Sequence, residues 1–378
     1  MEKMVLEEEI VIVGAGIAGL ATAVALKRVG IRALVLEKSD GLRVTGAFLN
    51  LFPNAWLALD ALGVSHKLTP LYAVRKKAYV TNVATGAVQE VSLVGNNRCI
   101  TVHRKALLES LAEELPSNSI RFSSKPIAIE AQGQEGPYTI RLEDGTVLIG
   151  CDGVHSFVAR KLGLAVPVNS GLSSVLGLAV FPVGHGVRGD ALQFVDVGIR
   201  AGILPLGDKE IYWFLTFNST KETQNKYKKQ VIENYTKDFP PTYAEAVRLC
   251  DLSTLTLAPL KLRLPWDLIF GNVSKGNMTV AGQVGCSALE DAVVLGRHIR
   301  KSFIDKGRLV PGAVAGAIEG YVKERRWRAA WLIAGGEGWL MKMFRDMIFY
   351  RFLLKRLIGV ADYDCGKLPL LDDQNKTH

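Results

Sequence analysis

The chain has 378 residues, 48% of them apolar and 22% charged, with a formal net charge of +9. This length and composition are typical of a globular protein with a large core, and scattered basic residues without an aromatic RNA-binding signature argue against a nucleic-acid partner. Five widely spaced cysteines and six histidines without ligand spacing argue against a disulfide framework or a metal site and favour a reducing, cytoplasmic location.

The first predicted element is an apolar strand over residues 10–13, which runs into a turn with glycines at 14, 16 and 19 and then into a helix. In such a turn Gly14 permits the tight bend, Gly16 lets the backbone approach a pyrophosphate, and Gly19 lets helix and strand pack closely. The helix N-terminus offers free N–H groups to phosphates. The pattern therefore predicts a dinucleotide site.

A second apolar strand, residues 33–36, ends on Glu37. An acid at the tip of this strand accepts hydrogen bonds from ribose hydroxyl groups. Strand, turn, helix, strand and acid together give the full context of a dinucleotide site, so a βαβ unit that is glycine-rich by chance is disfavoured.

Three basic residues, His103, Arg104 and Lys105, open a predicted helix over residues 106–111. Positive charge at a helix N-terminus opposes the helix dipole. The placement is explained if an anion lies there, and equally if the side chains extend into water. A second basic cluster, residues 323–328, is interpreted as a solvated helix face.

The strand predicted over residues 147–150 is followed by Cys151, Asp152 and Gly153, and Ser156 is placed to cap the next helix. A carboxylate at the carboxyl end of a parallel strand lies where α/β sheets bind ligands. Asp152 is therefore a candidate for the same site.

From residue 173 to residue 262 the pattern changes to short strands separated by Gly, Pro and Asp. This pattern predicts a mostly antiparallel sheet, which we expect to form one wall of an apolar cavity. Tyr212 and Trp213 alternate on one strand, so only one of them should face inwards. The predicted strands cover residues 177–181, 191–195, 198–204 and 210–217, with a hairpin turn at 204–209.

The last predicted elements are a helix over residues 225–239, a buried strand over 278–281 and a helix over 287–303, with Glu290 and Asp291 in its first turn. No targeting segment and no spanning helix is expected. The apolar, basic stretch 339–360 has charges on opposite sides of a helical wheel, so packing against the protein is favoured over peripheral contact with a membrane.

The sequence resembles the FAD-dependent aromatic hydroxylases, or group A flavoprotein monooxygenases, in four features and in the order in which they occur along the chain. They are the glycine turn, Arg104 ahead of a Leu-rich helix, Cys-Asp-Gly-Val-His-Ser from Cys151, and Ser-Ala-Leu-Glu-Asp-Ala from Ser287. The sequence is similar in particular to the plant salicylate hydroxylase-like and zeaxanthin epoxidase-like branch, from about residue 8 to residue 368. Each motif alone is weak, but the set is specific.

The resemblance implies an α/β fold, in which an FAD-binding Rossmann-like βαβ domain carries an inserted, mostly antiparallel substrate-side sheet and C-terminal helices. The implied FAD-binding domain covers residues 8–172 and 263–330. The sheet segment covers residues 173–262, and a C-terminal helical region and tail cover 331–378.

The resemblance also implies a bound FAD, reduction by NADPH or NADH, and insertion of one oxygen atom of O2 into a small aromatic or isoprenoid-like molecule. Arg43 and Arg104 match arginines near the ribityl and phosphate portion, and Asp152 and Gly153 match a motif shared between FAD and nicotinamide binding. Because the cofactor carries the chemistry, no catalytic side chain is assigned. The positions that match FAD contacts are Gly14, Ala15, Gly16, Ala18, Gly19, Glu37, Lys38, Arg43, Arg104, Asp152, Gly153 and Gly282.

The sequence departs from the family after the strand at 278–281. Relatives have a Gly-Asp pair and a loop with His-Pro and Gly-Gln-Gly before the Ser-Ala-Leu-Glu-Asp helix, whereas here Gly282 is followed directly by Gln283. The carboxylate that holds the ribityl chain and the loop beside the flavin ring are therefore missing. The segments 142–148 and 331–338 are also shorter than in relatives. A diverged paralogue, a splice form and a faulty gene model would each explain several such losses in one chain.

Three hypotheses follow. The chain is an active flavin monooxygenase, an impaired relative that keeps the fold, or a non-enzymatic interaction protein built on that fold. The complete glycine and Asp-Gly motifs favour the first two over the third, and the missing loop favours the second over the first.

Overall fold

The structure is a computed structural model that describes residues 10–43, 48–93, 99–126, 128–131, 139–142, 147–218, 232, 236–237, 239–251, 255–263, 284–304, 309, 311–337 and 363–369. Its strands are β1 (Ile10–Val13), β2 (Leu34–Leu36), β3 (Phe48–Leu51), β4 (Lys77–Asn82), β5 (Val88–Ser92), β6 (Ile100–His103), β7 (Ile120–Arg121), β8 (Ala128–Ala131), β9 (Thr139–Leu142), β10 (Val147–Gly150), β11 (Val168–Val180), β12 (Ala191–Asp196), β13 (Ile199–Leu206), β14 (Glu210–Asn218) and β15 (Thr256–Leu262). Its helices are α1 (Ile17–Arg28), α2 (Pro53–Ala61), α3 (Ser65–Leu68), α4 (Arg104–Ala112), α5 (Phe157–Lys161), α6 (Pro241–Arg248), α7 (Val284–Ile304) and α8 (Pro311–Glu337).

A four-stranded parallel sheet, in the order β10–β1–β2–β7, forms the centre of the predicted dinucleotide unit. All four residues of strand β1 are buried. Because successive side chains point to opposite faces of a strand, both faces of β1 are covered by other elements. Ile10 and Ile12 pack with α1 and α7, whereas Val11 and Val13 pack with β2 and α5. The prediction of an α/β unit at the start of the chain is confirmed.

A seven-stranded sheet, in the order β15–β11–β14–β13–β12–β4–β5, lies beside this unit. All its neighbouring strands are antiparallel except β12 and β4, which are parallel, so the prediction of a mostly antiparallel sheet is confirmed. Two of its strands, β4 and β5, come from earlier in the chain than the segment 173–262. The domain boundaries remain predictions.

The two faces of this sheet bury different partners. Trp213 packs edge-on against Tyr243 of α6, with ring centroids 6.0 Å apart. Tyr212 lies on the other face, where its ring is 5.4 Å from that of Phe48 on β3. Only Tyr212 therefore faces the dinucleotide unit, as the alternation predicts. The cavity predicted beside this face stays a prediction, since residues 264–283 lie outside the described ones.

Helix α7 begins earlier than predicted. A Cβ on Gly285 would lie 3.4 Å from Leu49 and 3.6 Å from Ile17, and Cys286 Sγ lies 3.6 Å from the carbonyl oxygen of Asn50, so the first turn of the helix lies close to β3 and to the start of α1. Glu290 and Asp291 are consequently its seventh and eighth residues, and their predicted place in the first turn is wrong.

Several predicted features fall outside the described residues. They are most of the helix over 225–239, the strand over 278–281, the junction of Gly282 and Gln283, and the stretch 339–360. Within the described part of the chain, no helix has both the length and the apolar character needed to cross a membrane.

Candidate dinucleotide-binding site

Two glycines of the turn lie where no side chain fits. Gly14 has φ of +104°, and a Cβ there would be 2.5 Å from the carbonyl oxygen of Cys151. A Cβ on Gly19 would be 1.8 Å from the carbonyl oxygen of Gly14. These contacts bring the turn, α1 and the end of β10 together, and they explain why glycine is needed at both positions.

Gly16 differs from the other two glycines, because no atom of the residues that the structure describes lies within 4 Å of the position that its Cβ would occupy. It is the N-cap residue of α1, whose first turn has neither a side-chain cap nor an acidic residue. An uncapped helix N-terminus beside open space is a suitable anion site, because its N–H groups are unbonded and the helix dipole is positive there. The geometry fits a pyrophosphate.

Glu37 is buried and its carboxylate closes the turn from the β2 side. Its Oε2 accepts from the backbone N–H of Ala15 at 2.8 Å, and its Oε1 accepts from that of Ser39 at 3.0 Å. Burial raises the pKa of Glu37, but these hydrogen bonds and the charge of Arg43 bring the pKa below its usual value. Each carboxylate oxygen can accept a further bond, so Glu37 can also accept from ribose hydroxyls.

Asp152 is positioned by the short helix that follows it. Its Oδ2 accepts from the backbone N–H groups of Phe157 at 2.6 Å and Val158 at 3.2 Å, while Ser156 caps the same helix through Ala159 N–H at 2.9 Å, as predicted. The other oxygen, Oδ1, is buried without a hydrogen-bond partner among the described residues. A buried acceptor of this kind indicates a missing donor, such as a ligand hydroxyl.

Arg43 and Arg104 lie together near Glu37. The Arg104 guanidinium donates to the carbonyl oxygen of Arg43. Burial lowers the pKa of Arg104, the neighbouring charge of Arg43 lowers it further, and Glu37 opposes both effects. Two adjacent guanidinium groups repel one another, so an anion between them would be stabilised.

His103 and Lys105 flank Arg104 and both have protein partners. His103 Nδ1 is 2.9 Å from the Tyr72 hydroxyl, and its Nε2 is 3.3 Å from Glu210 of β14. Lys105 is 3.8 Å from Glu109 one turn along α4. Of the three basic side chains, that of Lys105 extends into water, with 61% of it exposed, whereas His103 and Arg104 are partly buried.

The remaining predicted contacts divide into three groups. The carbonyl oxygen of Ala18 accepts from Thr22 at 2.7 Å, so its role is inside α1. Lys38 is exposed directly after Glu37, and Gly153 has φ of +81° directly after Asp152. Gly282 lies outside the described residues.

One buried ionic cluster was missed by the sequence argument. Arg325 and Arg328 of α8 form ion pairs with Glu290 and Asp291 of α7, and Asn54 also donates to Glu290. The interpretation of residues 323–328 as a solvated face is wrong for Arg325, which is fully buried. The signal in the sequence that could have indicated the burial of Arg325 was the pair of acidic residues, Glu290 and Asp291, on the preceding helix.

Comparison with known proteins finds relatives along nearly the whole chain. The FAD binding domain family matches residues 7–258. Monooxygenase 2 of Arabidopsis thaliana is 37% identical, with 95% of this chain and 98% of that protein covered. Monooxygenase 1 of the same plant is 34% identical, with 95% and 99% covered.

Solved structures show the same fold. Klebsiella pneumoniae HpxO complexed with FAD and uric acid superposes with a TM-score of 0.73 at 21% identity, covering 94% of this chain and 96% of that one. The alignment with Monooxygenase 2 spans 404 positions, more than the 378 residues of this chain, so that relative has positions that this chain lacks.

Proposed function

The chain belongs to the family of FAD-dependent aromatic hydroxylases, and we propose that it binds FAD in the opening above Gly16 and acts as a monooxygenase. The proposed reaction uses NADPH or NADH and inserts one oxygen atom of O2 into a small aromatic or isoprenoid-like molecule. Uric acid bound to HpxO supports a small heteroaromatic molecule as one class of substrate. Five free cysteines fit a reducing compartment, which supports a cytoplasmic location.

The observation that carries the proposal is the uncapped N-terminus of α1 beside the open face of Gly16. We assign the pyrophosphate to this N-terminus, a ribose to Glu37, and the ribityl and phosphate portion to Arg43 and Arg104. The Oδ1 of Asp152, which has no hydrogen-bond partner among the described residues, supports a ligand hydroxyl beside Gly14. FAD supplies the redox chemistry when bound, and these residues bind and orient it.

A basic cavity, lined in part by residues 154–156 that follow the Asp152–Gly153 motif, supports the use of a nicotinamide nucleotide. The cavity has a volume of about 60 Å³, and its lining includes His155, Arg160, Lys261 and Arg263. Several cationic side chains around one concavity favour a phosphate group. We therefore propose that a phosphate of NADPH or NADH binds here.

We further propose that this activity is impaired. The direct junction of Gly282 and Gln283 lacks the carboxylate and the loop that relatives have at this point, and the longer alignment with Monooxygenase 2 supports such losses. A charge-assisted hydrogen bond contributes about 1.5–3 kcal/mol. Its loss alone corresponds to roughly tenfold to hundredfold weaker FAD binding.

The test is an absorbance spectrum of the purified protein with added FAD, followed by NADPH and NADH oxidation with and without candidate substrates. Flavin absorbance that stays with the protein, and oxidation that a substrate accelerates, are expected. A colourless protein that takes up no FAD would support the interaction-protein hypothesis instead.

A further inference from the structure

Helix α4 begins with positive charge that its own first turn does not offset. Among the described residues, the N-cap residue His103 makes no side-chain cap, and the first turn contains no acidic residue. Arg104 and Lys105 follow directly. Cations at a helix N-terminus are unfavourable, because the unbonded N–H groups and the helix dipole are already positive there. An anion from another part of the chain would offset them.

Glu210 of β14 supplies a negative charge at this end of the helix. Its Oε2 lies 3.3 Å from Nε2 of His103, although the two residues belong to different sheets. The two side chains are 34% and 35% exposed, so solvent weakens their attraction. The contact therefore serves to orient His103 more than to stabilise the fold.

The hydroxyl of Tyr72 holds His103 from a second direction. It lies 2.9 Å from Nδ1 of the imidazole and accepts from the backbone N–H of His103 at 3.3 Å. Burial raises the pKa of Tyr72, the His103 N–H lowers it, and the charge of Glu210 raises it again. The pKa stays above its usual value, so the hydroxyl keeps its proton at neutral pH and can donate it to Nδ1.

The imidazole ring is also fixed by packing. The ring of Phe48, which is 6% exposed, is centred 4.4 Å from the ring of His103. Both ring nitrogens of His103 and its side towards Phe48 are therefore in contact with other elements. Functional side chains are held accurately when their neighbours are locked in this way. The neighbour of His103 along the chain is Arg104.

We propose that His103 is a positioning residue, held by Glu210 and Tyr72, which fixes the first turn of α4 and with it the direction of Arg104 towards a phosphate of FAD. The inference rests on the proposed function, which assigns Arg104 to this cofactor. Arg104 makes the contact with FAD, and His103 acts only through Arg104. Because Glu210 belongs to the seven-stranded sheet, that sheet influences the affinity for FAD through this contact.

The first test measures FAD affinity by fluorescence titration. His103→Phe keeps a ring beside Phe48 and removes both nitrogens, and Glu210→Gln removes the charge. Each change should weaken FAD binding about three- to tenfold, as the loss of one polar contact predicts. Glu90→Gln is the matched control on the same sheet, since its carboxylate lies 2.7 Å from Lys77 and should not affect FAD. Unchanged affinity in both test variants would overturn the proposal.

A double variant tests whether His103 acts through Arg104. The effects of two residues do not add when one acts through the other. The double variant His103→Phe with Arg104→Gln should therefore bind FAD no more weakly than Arg104→Gln alone. Losses of affinity that add would show that His103 acts independently of Arg104, and would overturn the positioning role.

Hydrogen exchange in the flavin-free protein tests the positioning role without relying on FAD. The backbone N–H of Leu107 is bonded, in α-helical geometry, to the carbonyl oxygen of His103. Its exchange should be about three- to tenfold faster in His103→Phe and in Glu210→Gln, whereas that of Leu111 should not change. Unchanged exchange at Leu107 would overturn the proposal whether or not the protein binds FAD.

Thermal unfolding separates positioning from a general structural role. Glu210→Gln should unfold within about 2 °C of the wild type, because a half-exposed ion pair adds little stability. A decrease of more than about 10 °C, with faster exchange along the whole of α4, would identify a structural connection and overturn the positioning role. A wild type that takes up no FAD, with exchange at Leu107 still faster in the variants, would contradict the proposed function alone.

Discussion

The guanidinium of Arg325 and the carboxylate of Glu290 lie 2.6 Å apart between Nη2 and Oε2, and neither side chain is exposed to solvent. Arg325 also contacts Asp291 at 2.6 Å, and Arg328 donates to both oxygens of Glu290 at 2.6 Å. Two cations and two anions thus neutralise one another between α7 and α8, which is the condition for burying them. Helix α7 packs against α1, the helix that follows the glycine turn, so these pairs help to hold α7 in its position.

Arg325→Ala should therefore destabilise the protein by about 3–5 kcal/mol, because it leaves Asp291 buried without its cation and removes one of the two cations that pair with Glu290. Urea unfolding measures the effect. Lys323→Ala, on the exposed side of the same helix, is the control and should change stability by less than about 0.5 kcal/mol. Similar small effects for both variants would show that water reaches the ionic cluster.

The sequence predicted the parts of the structure that depend on neighbours along the chain. The glycine turn, α1 and the Ser156 cap follow from patterns within a few residues. The contacts that it did not predict join distant segments, as Arg75 does with Pro205, 130 residues away. Helical spacing says which side of a helix carries Arg325, but it does not say that α7 covers that side.

Gly16 and Gly19 have different surroundings, so substitutions at these two positions can distinguish an effect on FAD binding from an effect on folding. Gly16→Val should lower the unfolding temperature only slightly, because no atom of the described residues lies within 4 Å of the new Cβ and the change costs only a favourable N-cap residue, and it should abolish FAD binding by filling the opening. Gly19→Ala should instead destabilise the fold, because its Cβ would meet the carbonyl oxygen of Gly14. Thermal unfolding and bound flavin are measured on both variants. A Gly16→Val protein that still binds FAD as well as the wild type would contradict the assigned site.

Glu37 should make the stability of the turn dependent on pH. Its folded-state pKa lies below the usual 4.5, because hydrogen bonds from Ser39 and Ala15 outweigh the effect of burial. A lowered pKa means that the ionised carboxylate stabilises the fold fully above about pH 4.5 and that this stabilisation is lost as the pH falls through the folded-state value. The difference in unfolding free energy between the wild type and Glu37→Gln should therefore be largest near neutral pH and shrink in acid. A difference that does not vary with pH would show that Glu37 does not ionise differently on folding.

The junction of Gly282 and Gln283 provides the test of impairment. Inserting the family's Gly-Asp segment there should strengthen FAD binding about 10- to 100-fold, since the restored carboxylate supplies a charge-assisted hydrogen bond. It should also lower the peroxide released per NADPH oxidised, because a longer loop excludes more water from the site. The same insertion with Asn in place of Asp is the matched control, and it should restore the loop but only part of the affinity. Equal FAD occupancy and equally low peroxide release in the natural and extended chains would show that the gap is harmless and that the natural chain is already a fully competent monooxygenase.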